Sequence, residues 1–300
     1  MKHKILAIAQ TKECFPLTVS KPNALLRVFN KTLLEYAIER VSGGYDALPV
    51  IILEKHFPIF RDAGLPEKIR FEIIDDISLV DTFETVNYRL TYADRFYPEA
   101  SAGRPSPAPF KIEFAWDLLT CQEQFSYMVD GTNQGHLEDY AVVKGKVSLG
   151  KGTVVKSGAY LDGHITTGEN CIIGPNCFIR GVCAIGDNCR IGNAVEIKNS
   201  ILGNNVYVSH LSYVGDSIIG DGCNLGAGFI SSNLRHDGAQ LVTRLMGEKI
   251  STGRDKLGAI IGDGVHTGIH TSVYPGRKIW PGLTTLPGSS VDKDIETCYL

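Results

Sequence analysis

The chain has 300 residues, room for one large domain or two ordinary ones, and 43% of them are hydrophobic, enough for a real core. Its 30 basic and 33 acidic residues leave a net charge of −3, so nothing points to a nucleic-acid or anionic-membrane surface. The opening MKHKILAIAQTKECF has too short an apolar run for a signal peptide and no stretch is long enough to span a bilayer, so the cytoplasm is the expected compartment.

The first third reads as α/β structure. HKILAIAQ, LPVIILEK and IRFEIID are short, apolar, β-branched runs that predict strands. Between the first two, NALLRVFNKTLLEYAIERV repeats Leu25, Leu33, Ile38 and Val41 at roughly helical spacing and predicts a helix closed at Gly43-Gly44. LVDTFETVNYRLTYADRFY predicts a second helix. PEASAGRPSPAP follows, with four prolines in twelve residues, the composition of a linker. FAWDLLTCQEQFSYMV then predicts a short helix that offers Trp116, Leu118, Leu119 and Phe125 to whatever comes next. The expected units are residues 1–97, 98–136 and 137–300.

From about residue 137 the period becomes six. Val143, Leu149, Val155, Leu161, Thr167, Ile173, Ile179, Ile185, Ile191 and Ile197 keep it strictly. After Asn199-Ser200 it slips by one and resumes at Leu202, Val208 and Val214, then slips again to Ile219 and Leu225. Ile261, Thr267, Val273, Ile279, Thr285 and Val291 carry it almost to the end. At 3.6 residues per turn such a pattern would smear round an α-helix, whereas three hexads close one triangular coil of a parallel β-solenoid, each coil about 4.8 Å above the last. Residues 232–258 break the rhythm and should leave the prism as a loop, one that could reach a neighbouring subunit.

Cys171, Cys177, Cys183, Cys189 and Cys223 each precede an inward aliphatic by two, the phase at which Ala159 and Ser217 stand elsewhere. They read as small core-fillers. Consecutive members fall on different faces and lack C-x2-C spacing, against zinc, and eight cysteines without a secretory signal argue against a disulfide frame. The glycines 220, 222, 226 and 228 lack a strand-to-helix context for a phosphate loop and read as prism corners.

AVEIKNSILGNNVYVSHLSYVGDSIIGDGCNLGAGFISSN, with SSNLRHDG and TGRDKLGAIIGDGVHTGIHTSVYPG after it, resembles the left-handed β-helix of hexapeptide acyltransferases. Within these the likeness is to the bifunctional glucosamine-1-phosphate acetyltransferase/uridyltransferase family and its archaeal sugar-1-phosphate nucleotidylyltransferase/acetyltransferase branch; FAWDLL resembles the segment joining the two halves. The resemblance implies an acetyl-CoA-dependent N-acetyltransferase of an amino-sugar phosphate or related sugar, in a homotrimer whose active sites lie between neighbours, with no metal needed for acetyl transfer. His210 in HLSYVGD falls on the general base, a role that suits a near-neutral imidazole. Ala227 falls on the backbone donor to the thioester carbonyl and Asn233 on an asparagine near the acetyl group. Asn224 falls on a sugar contact, and Gly268, Ile269 and Arg277 join Ala227 as coenzyme contacts.

Arg180 and Lys198 lie eighteen residues apart in one register, so they should stack on adjacent coils, where like charges repel. Two solvated surface charges would suffice, but the resemblance places both on sugar-phosphate positions, with Tyr213 beside the column. Lysines usual after SSNLRHD are replaced by Gly238, Ala239, Gln240, Leu241 and Val242, leaving Arg235, Arg244 and Lys249 as the available substitutes.

CFPLTVSKPNALLRVFNKTLLEYAIERV resembles the opening of a sugar nucleotidyltransferase, around Pro16, Lys21 and Pro22. Yet QTKEC stands where a glycine-rich turn belongs, and no glycine precedes Gly43. A reduced, inactive nucleotidyltransferase-like α/β domain ahead of a left-handed parallel β-helix is the expected architecture. The alternatives are a non-catalytic regulatory or assembly subunit, a nucleotidylyltransferase still active, and a γ-class carbonic anhydrase. The last would need a third partner for His266 and His270.

Overall fold

The computed structural model describes residues 2–7, 14–41, 48–62, 69–75, 88–98 and 108–296. Lys2–Leu6, Leu48–Leu53, Ile69–Ile74 and Tyr88–Tyr92 form a parallel sheet in the order Ile69–Ile74, Leu48–Leu53, Lys2–Leu6, Tyr88–Tyr92. Three of these are the strands expected from composition. The fourth overturns the C-terminal part of the second helix, since Tyr88–Tyr92 and Arg95–Phe96 are both strands; residues 79–87 of that segment, Gly43-Gly44, QTKE and most of the proline-rich linker lie outside the described residues. Alternating Tyr, Leu and Tyr at 88, 90 and 92 is a period of two, which prevails over the looser helical spacing around it.

The helix expected from residue 23 begins ten residues later, at Leu33–Val41. Phe29 and Asn30 both take positive φ, 48° and 68°, the geometry of a two-residue hairpin turn between Arg27–Val28 and Lys31–Thr32. Thr32 and Glu35 then form a capping box: the Glu35 N–H donates to Thr32 Oγ1 at 3.1 Å, and the Thr32 N–H donates to Glu35 Oε2 at 2.6 Å. This cap fixes where the helix starts.

Beyond residue 132 the chain winds into the three-faced prism that the period of six predicts. Tyr160 pairs beside Phe178 and Phe178 beside Glu196, a coil of eighteen residues; Arg190 pairs beside Tyr207, a coil of seventeen where the register slips; Ile218 pairs beside Ile260 across the long excursion. The first face is a six-stranded ladder from His136–Leu137 to Asn224–Leu225. The second runs through Phe178–Ile179, Glu196–Lys198, Tyr213–Gly215 and Ile230–Ser231, and the third through Ala184–Ile185, Ile201–Leu202, Ile218–Ile219 and Ile260–Ile261. The inward aliphatics form one continuous core with Cys171, Cys177, Cys183, Cys189 and Cys223 among them, all free thiols. Val143 is the exception at 38% exposure, because its strand is paired on one side only and the prism is open at that end.

The outward side of the third face is buried. Ile201, Ile218 and Ile260 pack against Leu17, Leu26, Trp116, Leu118, Leu119 and Phe125, so the short helix Asp117–Gln124 does present the expected side chains to the prism. The excursion at 232–258 leaves the prism, as its broken rhythm implies, but not as an open loop. Instead it folds as a hairpin, Val242–Leu245 against Glu248–Ser251, back onto its own chain. Leu241 and Leu245 bury in the same cluster, Arg254 grips Glu123 through two nitrogens at 2.6 and 3.0 Å, and the fully buried Lys278 donates to Thr243 Oγ1 at 2.6 Å. Burial of Leu241 and Leu245 favours this docking, while Met246 at the hairpin tip stays exposed.

Candidate active site

Two groups of residues stand at two corners of the prism. At the corner between the first and second faces, His210 ends the strand Tyr207–His210 and is exposed. The ladder sets Tyr207 beside Asn224 and Asn224 beside His266, so His210, Ala227 and Ile269 stack on successive coils at that corner, with Asn224 exposed on the adjoining face. The Gly228 N–H donates to the His210 carbonyl at 3.2 Å and the His270 N–H to the Ala227 carbonyl at 2.8 Å, which fixes the backbone of the stack. Gly228 is in the left-handed region at φ 75°, and a side chain there would strike His270 at 2.5 Å; Gly226 lies as close to the Thr267 carbonyl. These glycines are corners, as their context implied.

At the corner between the third and first faces four successive coils satisfy the N–H at the matching position, whereas those of Lys151 and Asp263 at the two ends of that row find no acceptor among the described residues. The backbone N–H groups of Glu169, Asp187, Asn204 and Asp221 donate in turn to the Asp187, Asn204, Asp221 and Asp263 side chains, at 2.8 to 2.9 Å. Above Ala227 stands Ile269 and above that Pro287, neither with a side-chain acceptor. The N–H groups of Ala227 and Ile269 accordingly have no acceptor among the described residues. Unpaired amide donors beside an imidazole are what a developing oxyanion requires.

The second group spans the second face and its far corner. Arg180 and Lys198 are register partners, as expected. Their repulsion is relieved within the chain: Arg180 pairs with Glu196 at 2.7 Å, and Lys198 with the nearly fully buried Asp216 at 2.7 Å. Asn233 donates from Nδ2 to Asp216 and, at 3.1 Å, to the Tyr213 hydroxyl. The Tyr213 ring lies over Gly215, where an added Cβ would collide with its hydroxyl. Burial, then the Asp216 and Glu196 carboxylates, raises the Tyr213 phenol above its ordinary pKa. Asp216 and Glu196 were not singled out from the sequence; the only signal was that Asp216 ends HLSYVGD.

The structure brings His210, Ala227, Gly268, Ile269 and Asn224 together, and Arg180, Lys198, Tyr213 and Asn233 together, with Tyr213 three residues beyond His210 on the same coil. Arg277 stands apart at the second-to-third corner, between two clefts of about 650 and 500 Å³. Its Nε is buried without a partner among the described residues, and it lies at a different corner from the His210 stack. None of the substitute cations joins the Arg180 column: Arg235 is held by Asp237, Arg244 donates to the Gly247 carbonyl, and Lys249 faces Arg244 across the hairpin. His266 and His270 belong to no cluster of three possible metal ligands among the described residues.

Lys21, the lysine of the nucleotidyltransferase-like phrase, points into the third corner of the prism. Its Nζ lies 2.6 Å from Asp221 and 3.1 Å from Asp263, and Ser20 Oγ donates to Asp263 at 2.7 Å.

A domain family described as the GMPPB C-terminal domain matches residues 161–275. A bifunctional sugar-1-phosphate nucleotidylyltransferase/acetyltransferase of Sulfurisphaera tokodaii is 39% identical over 181 residues, 60% of this chain and 45% of that protein. The bifunctional protein GlmU of Methanococcus maripaludis strain C7 is 44% identical over 187 residues, 62% of this chain and 45% of the relative. The crystal structure of a single-site mutant of AntD, an N-acyltransferase from Bacillus cereus, matches at 15% identity over 58% of this chain and 79% of that one, with a TM-score of 0.24. The matches thus span less than half the length of these curated relatives. Over its C-terminal part the chain is homologous to bifunctional sugar-1-phosphate nucleotidylyltransferase/acetyltransferases, and that part folds as a parallel β-solenoid.

Proposed function

We propose that the chain is an acetyl-CoA-dependent N-acetyltransferase of an amino sugar or amino-sugar phosphate, without nucleotidyltransferase activity. The observation that carries this reading is the stack of His210 beneath the unpaired N–H groups of Ala227 and Ile269. The neutral His210 imidazole takes a proton from the acceptor nitrogen as that nitrogen attacks the thioester carbon. The carbonyl oxygen gains charge and accepts from the Ala227 N–H; collapse expels the coenzyme thiolate, and no acyl-enzyme forms. Gly268, Ile269 and Arg277 serve the coenzyme, and Asn224, Tyr213, Arg180 and Lys198 the acceptor, with Asn233 holding Tyr213. Arg277 lies at another corner from His210, so the coenzyme site is completed by a neighbouring prism in a homotrimer.

Purified protein should release free thiol from acetyl-CoA in the presence of one member of a panel of amino sugars and their phosphates. His210→Ala should lower that rate at least about a hundredfold with the fold intact, since a general base is worth 10²–10⁴. Near-wild-type turnover in the variant excludes this mechanism. The pairing of Arg180 and Lys198 within the chain favours one competing reading, a non-catalytic regulatory or assembly subunit, for which no sugar in the panel would support thiol release.

A further inference from the structure

Asp216 closes HLSYVGD at the corner between the second and third faces, and its side chain is 2% exposed, so the protomer alone sets its surroundings. The backbone there is left-handed, φ 48°, a conformation that asparagine and aspartate tolerate better than most side chains. Three segments meet on this residue. From the coil below, Lys198 Nζ donates to Oδ2 at 2.7 Å and Asn199 Nδ2 to Oδ1 at 3.3 Å. From the start of the excursion, Asn233 Nδ2 donates to Oδ2. From its end, the Gly258 N–H donates to the Asp216 carbonyl at 2.7 Å, next to the Leu257 N–H that donates to the Asn233 carbonyl at 3.0 Å.

A carboxylate only accepts, so Asp216 decides which end of the Asn233 amide faces it: the nitrogen. The same nitrogen also donates to the Tyr213 hydroxyl at 3.1 Å. The Tyr213 oxygen is thereby occupied as an acceptor, while its own proton has no acceptor among the described residues; Asn233 Oδ1 likewise has no donor among them. Both side chains are only half-buried. A ligand on the second face therefore meets one donor, the Tyr213 O–H, and one acceptor, Asn233 Oδ1. Both directions are imposed by a buried group that the ligand does not touch. With a neutral amide at 216, which can turn either way, Asn233 could turn with it and Tyr213 could donate inward as readily as outward. Hydrogen-bond directions fixed before a ligand arrives cost no reorganisation during reaction.

We propose that Asp216 is a positioning residue for acetyl transfer, holding the Asn233 amide so that the Tyr213 hydroxyl donates to the acceptor sugar and Asn233 Oδ1 accepts from it. The proposal rests on the acetyltransferase reading for the reaction and on the hydrogen-bond directions for the role. Thiol release is measured with the sugar of the panel that wild type uses best. Asp216→Asn keeps the left-handed backbone; it should lower kcat/KM for that sugar about tenfold or more and leave KM for acetyl-CoA within about twofold. An unchanged kcat/KM overturns the proposal. The double variant Asp216→Asn/Asn233→Asp exchanges donor and acceptor while keeping the pair and the net charge. Its melting temperature should return most of the way to wild type, but the carboxylate it places at 233 takes the Tyr213 proton, so turnover should stay at the level of Asp216→Asn. Recovery of turnover together with stability would mean that the pair only holds the fold, and overturns the proposal. Tyr213→Phe decides the question even where Asp216→Asn does not fold. It should melt close to wild type and lose about tenfold in kcat/KM, the worth of one hydrogen bond, and full kcat/KM overturns the proposal. Absence of thiol release by wild type with every sugar in the panel is a different failure: it removes the acetyltransferase reading, and this role with it.

Discussion

Cys177, Cys183 and Cys223 are at most 3% exposed, and burial pushes each thiol up to about 12. Cys223 donates to the Gly262 carbonyl at 3.1 Å, a contact that suits a thiol and not a thiolate. Native protein treated briefly with iodoacetamide at pH 8 should therefore leave these three unmodified in a peptide map, while unfolded protein is alkylated throughout. Rapid native alkylation of any of them would show that the prism opens. Their structural role was legible because phase within a period of six decides burial without knowledge of partners. Asp216 was not legible. What makes it a hub is that Lys198 and Asn233 come to it from the coils on either side, and only the register of stacked coils brings them there. Glu196 belongs to the same class: a charged residue in an outward phase looks like any solvated charge until its neighbour one coil away is known. Arg180 and Lys198 lie one above the other, as their spacing of eighteen implies, and the carboxylates that relieve their repulsion escaped the sequence for the same reason.

At the scale of elements, the third face explains how the N-terminal segments are held. Lys21 is clamped by Asp221 and Asp263, and Asn30 Nδ2 donates to the Ile185 carbonyl at 2.9 Å. Burial lowers the Lys21 pKa, but the two carboxylates more than offset it, so the net shift is upward; burial raises Asp221, and Lys21 brings it net downward. A raised lysine contributes stability below its unfolded pKa and loses it as pH rises through the folded value above 10.5. A depressed aspartate contributes above its unfolded pKa and loses it as pH falls through the folded value below 3.8. The clamp is complete between these limits. Lys21→Met should cost about 1–3 kcal/mol at pH 7, the range for leaving partly buried partners unsatisfied. Protease cleavage between residues 14 and 41 should rise several-fold while the prism stays resistant. Unchanged melting and cleavage would mean that the clamp contributes nothing. Repeat period made the prism readable to within one residue, because every coil repeats the same local instruction. The helix in residues 23–41 was misplaced because its start depends on one hairpin turn and one capping box, local features that apolar spacing does not report.

For the whole molecule, the cover on the third face decides what remains available to a second chain. Ile201, Ile218 and Ile260 are buried within the protomer, whereas Leu211 and Ile269 are 64% and 51% exposed at the corner that carries His210, and Ile230 is 43% exposed on the second face. A neighbouring prism approaching this corner would cover those residues and could bring its own Arg277 toward the His210 stack; light scattering should give the mass of a trimer, and Leu211→Glu should dissociate it and remove thiol release together. A monomer with full activity would end that argument. The N-terminal sheet is the remaining question, since the relatives that resemble this chain are named as bifunctional yet the match covers less than half of them. Nucleotidyl transfer needs backbone amides in close approach to a triphosphate and a free cation beside it. QTKEC, where the resemblance puts a glycine-rich turn, contains no glycine, and Lys21, the lysine best placed by its sequence context, is 15% exposed and held by two aspartates on the prism. Releasing it would break the attachment of the N-terminal segments to the third corner. With UTP or dTTP, magnesium and any sugar 1-phosphate, pyrophosphate release should stay at background under conditions where acetyl-CoA is consumed. Enzyme-dependent pyrophosphate release that Lys21→Met abolishes would mean that the lysine leaves Asp221 and Asp263 during turnover, and the protein would then carry both activities.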